Sequence, residues 1–74
     1  MSMVITEDEN TIRISKTEHQ IIRMISDGKT SAQIAEATGL KFATIKWYRM
    51  KLKKKFKVET TAQLIRFAIE QNLV

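Results

Sequence analysis

The 74-residue sequence predicts an all-α fold: four helices behind a short N-terminal arm. Three observations carry that expectation. There is no proline and there are only two glycines, alongside 43% hydrophobic residues, a composition that leaves helices uninterrupted. Apolar residues recur at spacings of three and four, the period of one helix face. Serine or threonine stands just ahead of three of the periodic runs, where a side-chain oxygen can cap a helix.

Residues 1–13 lack helical period and carry Glu7, Asp8 and Glu9; they read as a flexible or partly extended arm in which Met3 to Thr6 could pair as a strand. The domain proper is expected over 14–74. Ser15-x-x-Glu18 has the form of a capping box, with Ile14 before it as a hydrophobic staple. Ile21, Ile22 and Ile25 form the first apolar stripe, and Asp27-Gly28 ends it. Thr30 or Ser31 caps a second, short helix with Ala32, Ile34, Ala35 and Ala37, stopped at Thr38-Gly39. A third helix runs from about Phe42 to Lys55, with Ile45, Tyr48, Leu52 and Phe56 on one face. Thr60 or Thr61 caps a fourth, with Leu64, Ile65, Ala68 and Ile69 inward and Leu73 following.

Length and composition exclude much. A chain this short holds one domain and a small core, with little room for a catalytic pocket or a small-molecule ligand. It has no cysteine and one histidine, His19, so neither a thiolate nor a histidine-built metal site is expected. No apolar run approaches a membrane span and no signal peptide opens the chain, which points to the cytoplasm. No glycine-rich phosphate loop or Ser/His/Asp set is present, so neither an enzyme nor a cofactor is expected.

Charge is the positive signal. Lys41, Lys46, Arg49, Lys51, Lys53, Lys54, Lys55 and Lys57 fall within seventeen residues that contain no acid, while the rest of the chain holds five basic and eight acidic residues. A basic helix on an otherwise acidic scaffold is the electrostatic footprint of nucleic-acid binding. Two helices joined by a short glycine turn, the second of them basic, form a helix-turn-helix, whose second helix enters the major groove of double-stranded DNA. At about 100° per residue, the face opposite Ile45, Leu52 and Phe56 carries Ala43, Lys46, Trp47, Met50 and Lys54, with Lys51 and Lys53 on its flanks. Lys51, Lys53, Lys54 and Lys55 are expected on phosphates, and the Thr30, Ser31 and Thr44 hydroxyls as neutral phosphate contacts. Three readings of Trp47 follow from its place: contact with DNA, contact with a protein partner, or folding back onto Lys51 and Tyr48. Glu18 is expected mainly as a cap that also holds a basic residue of the third helix.

The spacing resembles the LuxR/FixJ (GerE-like) DNA-binding domain. Ile14-Ser15-x-x-Glu18 is similar to its opening "LTxRE", Thr30-Ser31-x-x-Ile34-Ala35 to its second helix, and Thr44-Ile45-Lys46-x-Tyr48-x-x-x-Leu52-x-x-Lys55-Phe56-x-Val58 to its "TVKxHxxxIxxKLxV". Thr61-Ala62-Gln63-Leu64-Ile65 resembles the start of its fourth helix. Thr17, Thr38, Lys41, Tyr48 and Thr61 depart from the usual Arg, Leu, Ser/Thr, His and Arg. Region 4 of sigma factors shares the same helix arrangement. The resemblance implies a DNA-binding transcription regulator with Lys46, Trp47 and Met50 at base edges. It also implies a homodimer through the fourth helix, for which Leu64, Arg66, Phe67, Ile69 and Leu73 are the candidates. With only about thirteen residues ahead of the first helix, the expectation is a stand-alone domain. The competing expectation is a protein-interaction module that binds RNA polymerase, a sigma factor or another regulator, for which an outward Trp47 and Met50 are suited.

Overall fold

The computed structural model describes residues 13–74; the expected arm and its strand at Met3 to Thr6 lie outside the described residues, apart from Arg13. Four helices follow in order: α1 (Lys16–Ser26), α2 (Ser31–Thr38), α3 (Phe42–Phe56) and α4 (Thr61–Glu70).

Local chemistry sets three of the four starts. Ser15, Thr30 and Thr60 each accept the backbone N–H of the residue three positions on, and that residue's side chain accepts the cap's own N–H. These are three capping boxes, closed by Glu18, Gln33 and Gln63 in turn, and each relieves two of a helix's unpaired donors. The fourth start differs. Lys41 caps α3 with no side-chain hydrogen bond, and it places a cation at the positive end of the helix dipole.

The stops are equally local. Gly28 and Gly39 take left-handed backbone, φ 86° and 79°, which glycine adopts without a Cβ clash. After α2, the Thr38 hydroxyl donates to the Ile34 carbonyl at 2.8 Å and accepts the Leu40 N–H at 3.2 Å, so it locks the tight turn into α3. Lys57 ends α3 in left-handed backbone, φ 60°. Asn72 does the same after α4, where the Leu73 N–H returns to the Ala68 carbonyl at 2.8 Å.

All four helices feed one core. Ile21, Ile22 and Ile25 from α1 meet Ile34 of α2, then Ile45, Leu52 and Phe56 of α3, and Leu64 and Ala68 of α4. Six of these side chains, Ile21, Ile22, Ile34, Ile45, Leu52 and Leu64, are fully buried, each contributing roughly 1.5–3 kcal/mol of transfer free energy. Phe56 and Phe67 stack at 4.5 Å, tying the end of α3 to α4. Tyr48 and Leu40 pack on the edge of the core. α2 makes its most extensive contact with α3, and the small Ala35 of α2 packs, partly buried, against the core.

Candidate nucleic-acid interface

Burial of Ile45, Leu52 and Phe56 fixes the rotation of α3, and that rotation decides which side chains reach solvent. Trp47 is 49% exposed and Met50 58% exposed. Lys46 and Lys54 are also exposed, and Thr44 is half-buried. Lys46, Trp47 and Met50 line one shallow depression with Ala43. Next to it Ser31, Lys46, Arg49, Met50 and Lys53 line a groove of about 400 Å³ between α3 and the start of α2. Thr30 is exposed beside this groove. Its hydroxyl oxygen already accepts the Gln33 N–H, and its proton remains available to donate.

Two residues matter here that sequence reasoning had not assigned to the site. Phe42, in the first turn of α3, is 50% exposed, and the Lys46 ammonium lies 5.4 Å from its ring centroid. Arg49 sits on the core side of the helical wheel, yet its long side chain reaches the groove and donates to the Thr61 hydroxyl at 3.0 Å. One guanidinium nitrogen, Nη1, is buried without a hydrogen-bond partner, so the head is held in the wall of the groove and is only partly in water. A count of side-chain reach, beyond angular position, would have found it.

The lysines divide differently from expectation on the other flank. Glu18, 2% exposed, accepts the Ser15 N–H at 3.0 Å as the capping box requires. It also takes the Lys55 ammonium on both oxygens, at 3.0 and 3.1 Å, and Lys51 at 3.4 Å. Lys55 further donates to the Arg13 carbonyl at 2.9 Å. Burial pushes the Glu18 carboxyl upward, but the Ser15 amide and the Lys55 and Lys51 ammoniums outweigh it and hold the group below the ordinary carboxylate range. Lys51 and Lys55, expected on phosphates, are instead paired with Glu18, which was expected to hold a basic residue of α3, while both stay partly exposed. A carboxylate taken out of water needs partners, and the two nearest cations across the α1–α3 contact supply them. Lys53 and Lys54 remain on the groove side and outer face.

Trp47 folds toward Lys51 and Tyr48 while staying half exposed. The indole meets the Tyr48 ring edge-on at 5.1 Å, and Lys51 lies 4.9 Å from the indole centroid.

On and just after α4 the expected dimer residues separate into three groups. Leu64 is fully buried in its own domain, so it has no surface to offer a second copy. Phe67 and Leu73 are half-buried, Phe67 against Phe56 and Leu73 at the core edge. Ile69 is 58% exposed, and Arg66 is exposed beside it. Away from α3, a depression of about 510 Å³ lies between α1 and α2, lined among others by Arg23, Met24, Asp27 and Gln33. Among the described residues there is no group of His, Cys, Asp or Glu able to hold a metal, and no helix is long and apolar enough to cross a membrane.

A short turn joining α2 to a basic α3, with the outer face of α3 open, makes this a DNA-binding module of the helix-turn-helix class. Comparison with known proteins specifies the family. Residues 13–68 match the GerE model, bacterial regulatory proteins of the luxR family, and the chain belongs to that family. It is 36% identical over 67 residues to the transcriptional regulatory protein MctR of Rhizobium johnstonii, a match covering 90% of this chain and 31% of MctR. Among solved structures it is similar to the Vibrio cholerae VqmA dimer without target DNA, at 25% identity and TM-score 0.83, covering 92% of this chain and 31% of VqmA. VqmA in complex with ligand and DNA matches at 25% identity and TM-score 0.80, covering 97% and 32%. The chain thus spans about a third of the length of these relatives.

Proposed function

We propose that this protein recognises specific operator sequences by laying α3 in the major groove, with Lys46, Trp47 and Met50 toward base edges. Lys46 donates to guanine O6 or N7, and Trp47 and Met50 offer apolar surface to thymine methyls. Lys53, Lys54, Arg49, Ser31, Thr30 and Thr44 line the phosphate track. A DNA ligand fits a cytoplasmic location. The observation that carries this reading is the outer surface of α3, which is free of acid and carries exposed apolar side chains among its lysines.

A homodimer on two half-sites follows from the exposed part of α4, Ile69 and Arg66, with Phe67 and Leu73 at its margin. The LuxR-type VqmA relative is itself a dimer.

The test is selection of sites from a random-sequence DNA pool, followed by binding of the selected duplex over a salt series. Log affinity should fall linearly with log salt, by about 0.9 per phosphate contacted. Lys46→Ala and Trp47→Ala should reduce preference for the selected site, whereas Lys53→Ala should weaken all duplexes alike. Intact operator binding by the Lys46→Ala/Trp47→Ala double variant would refute the docking. The exposed Trp47 and Met50 also favour a second reading, a protein-interaction module for RNA polymerase or a regulator. Capture of purified polymerase with no DNA selectivity would decide for it.

A further inference from the structure

We propose that Lys51 is a positioning residue for Trp47, held in that role by the buried Glu18 carboxylate, and is not a phosphate contact. The inference rests on α3 being the DNA-reading helix.

Three contacts converge on one ammonium. Lys51 Nζ lies 3.4 Å from Glu18 Oε2, 4.9 Å from the Trp47 ring centroid and 5.8 Å from that of Tyr48. An exposed lysine held by one weak contact samples many rotamers. Here the anchor is stationary, because Glu18 is buried and bound by the Ser15 N–H and by Lys55. The cation is attracted to the negative face of the indole, while Tyr48 meets the indole edge-on at an interplanar angle of 73°. The Trp47 ring is thereby fixed from two sides, although it is 49% exposed.

The same carboxylate explains how two lysines four residues apart share this flank. Lys51 and Lys55 repel each other on a helix surface, and Glu18 stands between them. An ammonium committed to a carboxylate and a ring has less to give a phosphate. An indole held in one pose discriminates between sequences, because its ordering has already taken place before DNA arrives. A mobile indole would touch many sequences about equally.

Trp47 is the only tryptophan, so its fluorescence reports on this contact directly. In Lys51→Met, acrylamide quenching of Trp47 should rise and its near-ultraviolet circular dichroism weaken, with far-ultraviolet spectra unchanged. Lys51→Arg should restore both signals, and Glu18→Gln should reproduce the Lys51→Met change. On DNA, the affinity ratio between a duplex selected by the wild type from a random pool and a scrambled duplex should fall about tenfold in Lys51→Met, the size of one well-placed base contact. The salt slope on the scrambled duplex should stay unchanged. Unaltered quenching would overturn the proposal. So would a salt slope reduced by about 0.9 with the ratio intact, the signature of a phosphate contact. If the wild type itself shows no preference for any duplex, the DNA-reading role of α3 fails instead, and the fluorescence still reports whether Lys51 holds Trp47.

Discussion

Replacing Glu18 with glutamine separates the two tasks of this carboxylate. Glutamine keeps an oxygen for the Ser15 N–H, as Gln33 and Gln63 do in the capping boxes of α2 and α4, so the start of α1 should survive. What disappears is the charge facing Lys55 at 3.0 and 3.1 Å and Lys51 at 3.4 Å. A hydrogen bond to a charged group contributes roughly 1.5–3 kcal/mol. Lys55 and Lys51 remain 31% and 43% exposed, which discounts the attraction, and glutamine is less costly to bury than a carboxylate. The expected net loss is about 1 kcal/mol near neutral pH, or roughly 4–8 °C in Tm for a domain of this size. The pH dependence is the sharper signature. The folded-state pKa of Glu18 lies below its unfolded value, so the folded state favours the ionised form. The stabilisation is fully present above the unfolded value and is lost as pH falls through the folded one. Melts of wild type and Glu18→Gln followed by circular dichroism should therefore differ near neutrality and converge in acid. A gap that stays constant with pH, or its absence near neutrality, would refute the ion-pair account.

Three further outcomes follow from the same geometry. Lys41→Ser supplies the cap that α3 lacks and removes a cation from its positive end; it should stabilise the fold by about 1 kcal/mol, read as a higher urea midpoint at unchanged slope. Arg49→Met should lower affinity for every duplex and reduce the salt slope by about 0.9; an unchanged slope would remove Arg49 from the phosphate track. Ile69→Glu alters an exposed position, so Tm should move by no more than about 0.5 kcal/mol equivalent, while sedimentation should show loss of dimer and binding to a two-half-site duplex should weaken. A wild type that sediments as a monomer on and off DNA would count against the α4 dimer.

Most of the fold was legible in the sequence because its signals are local. Ser15, Thr30 and Gly39 act within four residues of themselves, and the Ile45–Leu52–Phe56 spacing fixes which side of α3 is buried. Three features were not legible, each for a physical reason. That Glu18 holds a basic residue of α3 was expected, but which one was not: its partners are Lys55, 37 residues away, and Lys51, one turn before it on α3, and periodicity places these lysines on a flank without saying what faces it. Leu64 and Ile69 share the apolar pattern of α4, yet Leu64 is buried by its own domain and Ile69 is not, a choice set by how α1 and α3 pack on that helix. Arg49 falls on the core side of the helical wheel, and only the length of its side chain carries the guanidinium to Thr61 and the wall of the groove.

The turn after α3 has a consequence for how far this domain can be stabilised. Lys57 holds left-handed backbone at φ 60°, ψ 42°, a conformation that costs a side-chain-bearing residue about 1 kcal/mol and glycine far less. Its N–H and that of Val58 close the helix on the carbonyls of Lys54 and Lys53, so the turn itself cannot be dispensed with. Glycine there would relax the backbone but remove one of the eight cations between residues 41 and 57. Heat resistance and reach toward a polyanion therefore pull this single position in opposite directions, and engineering for one would be measurable as a loss in the other.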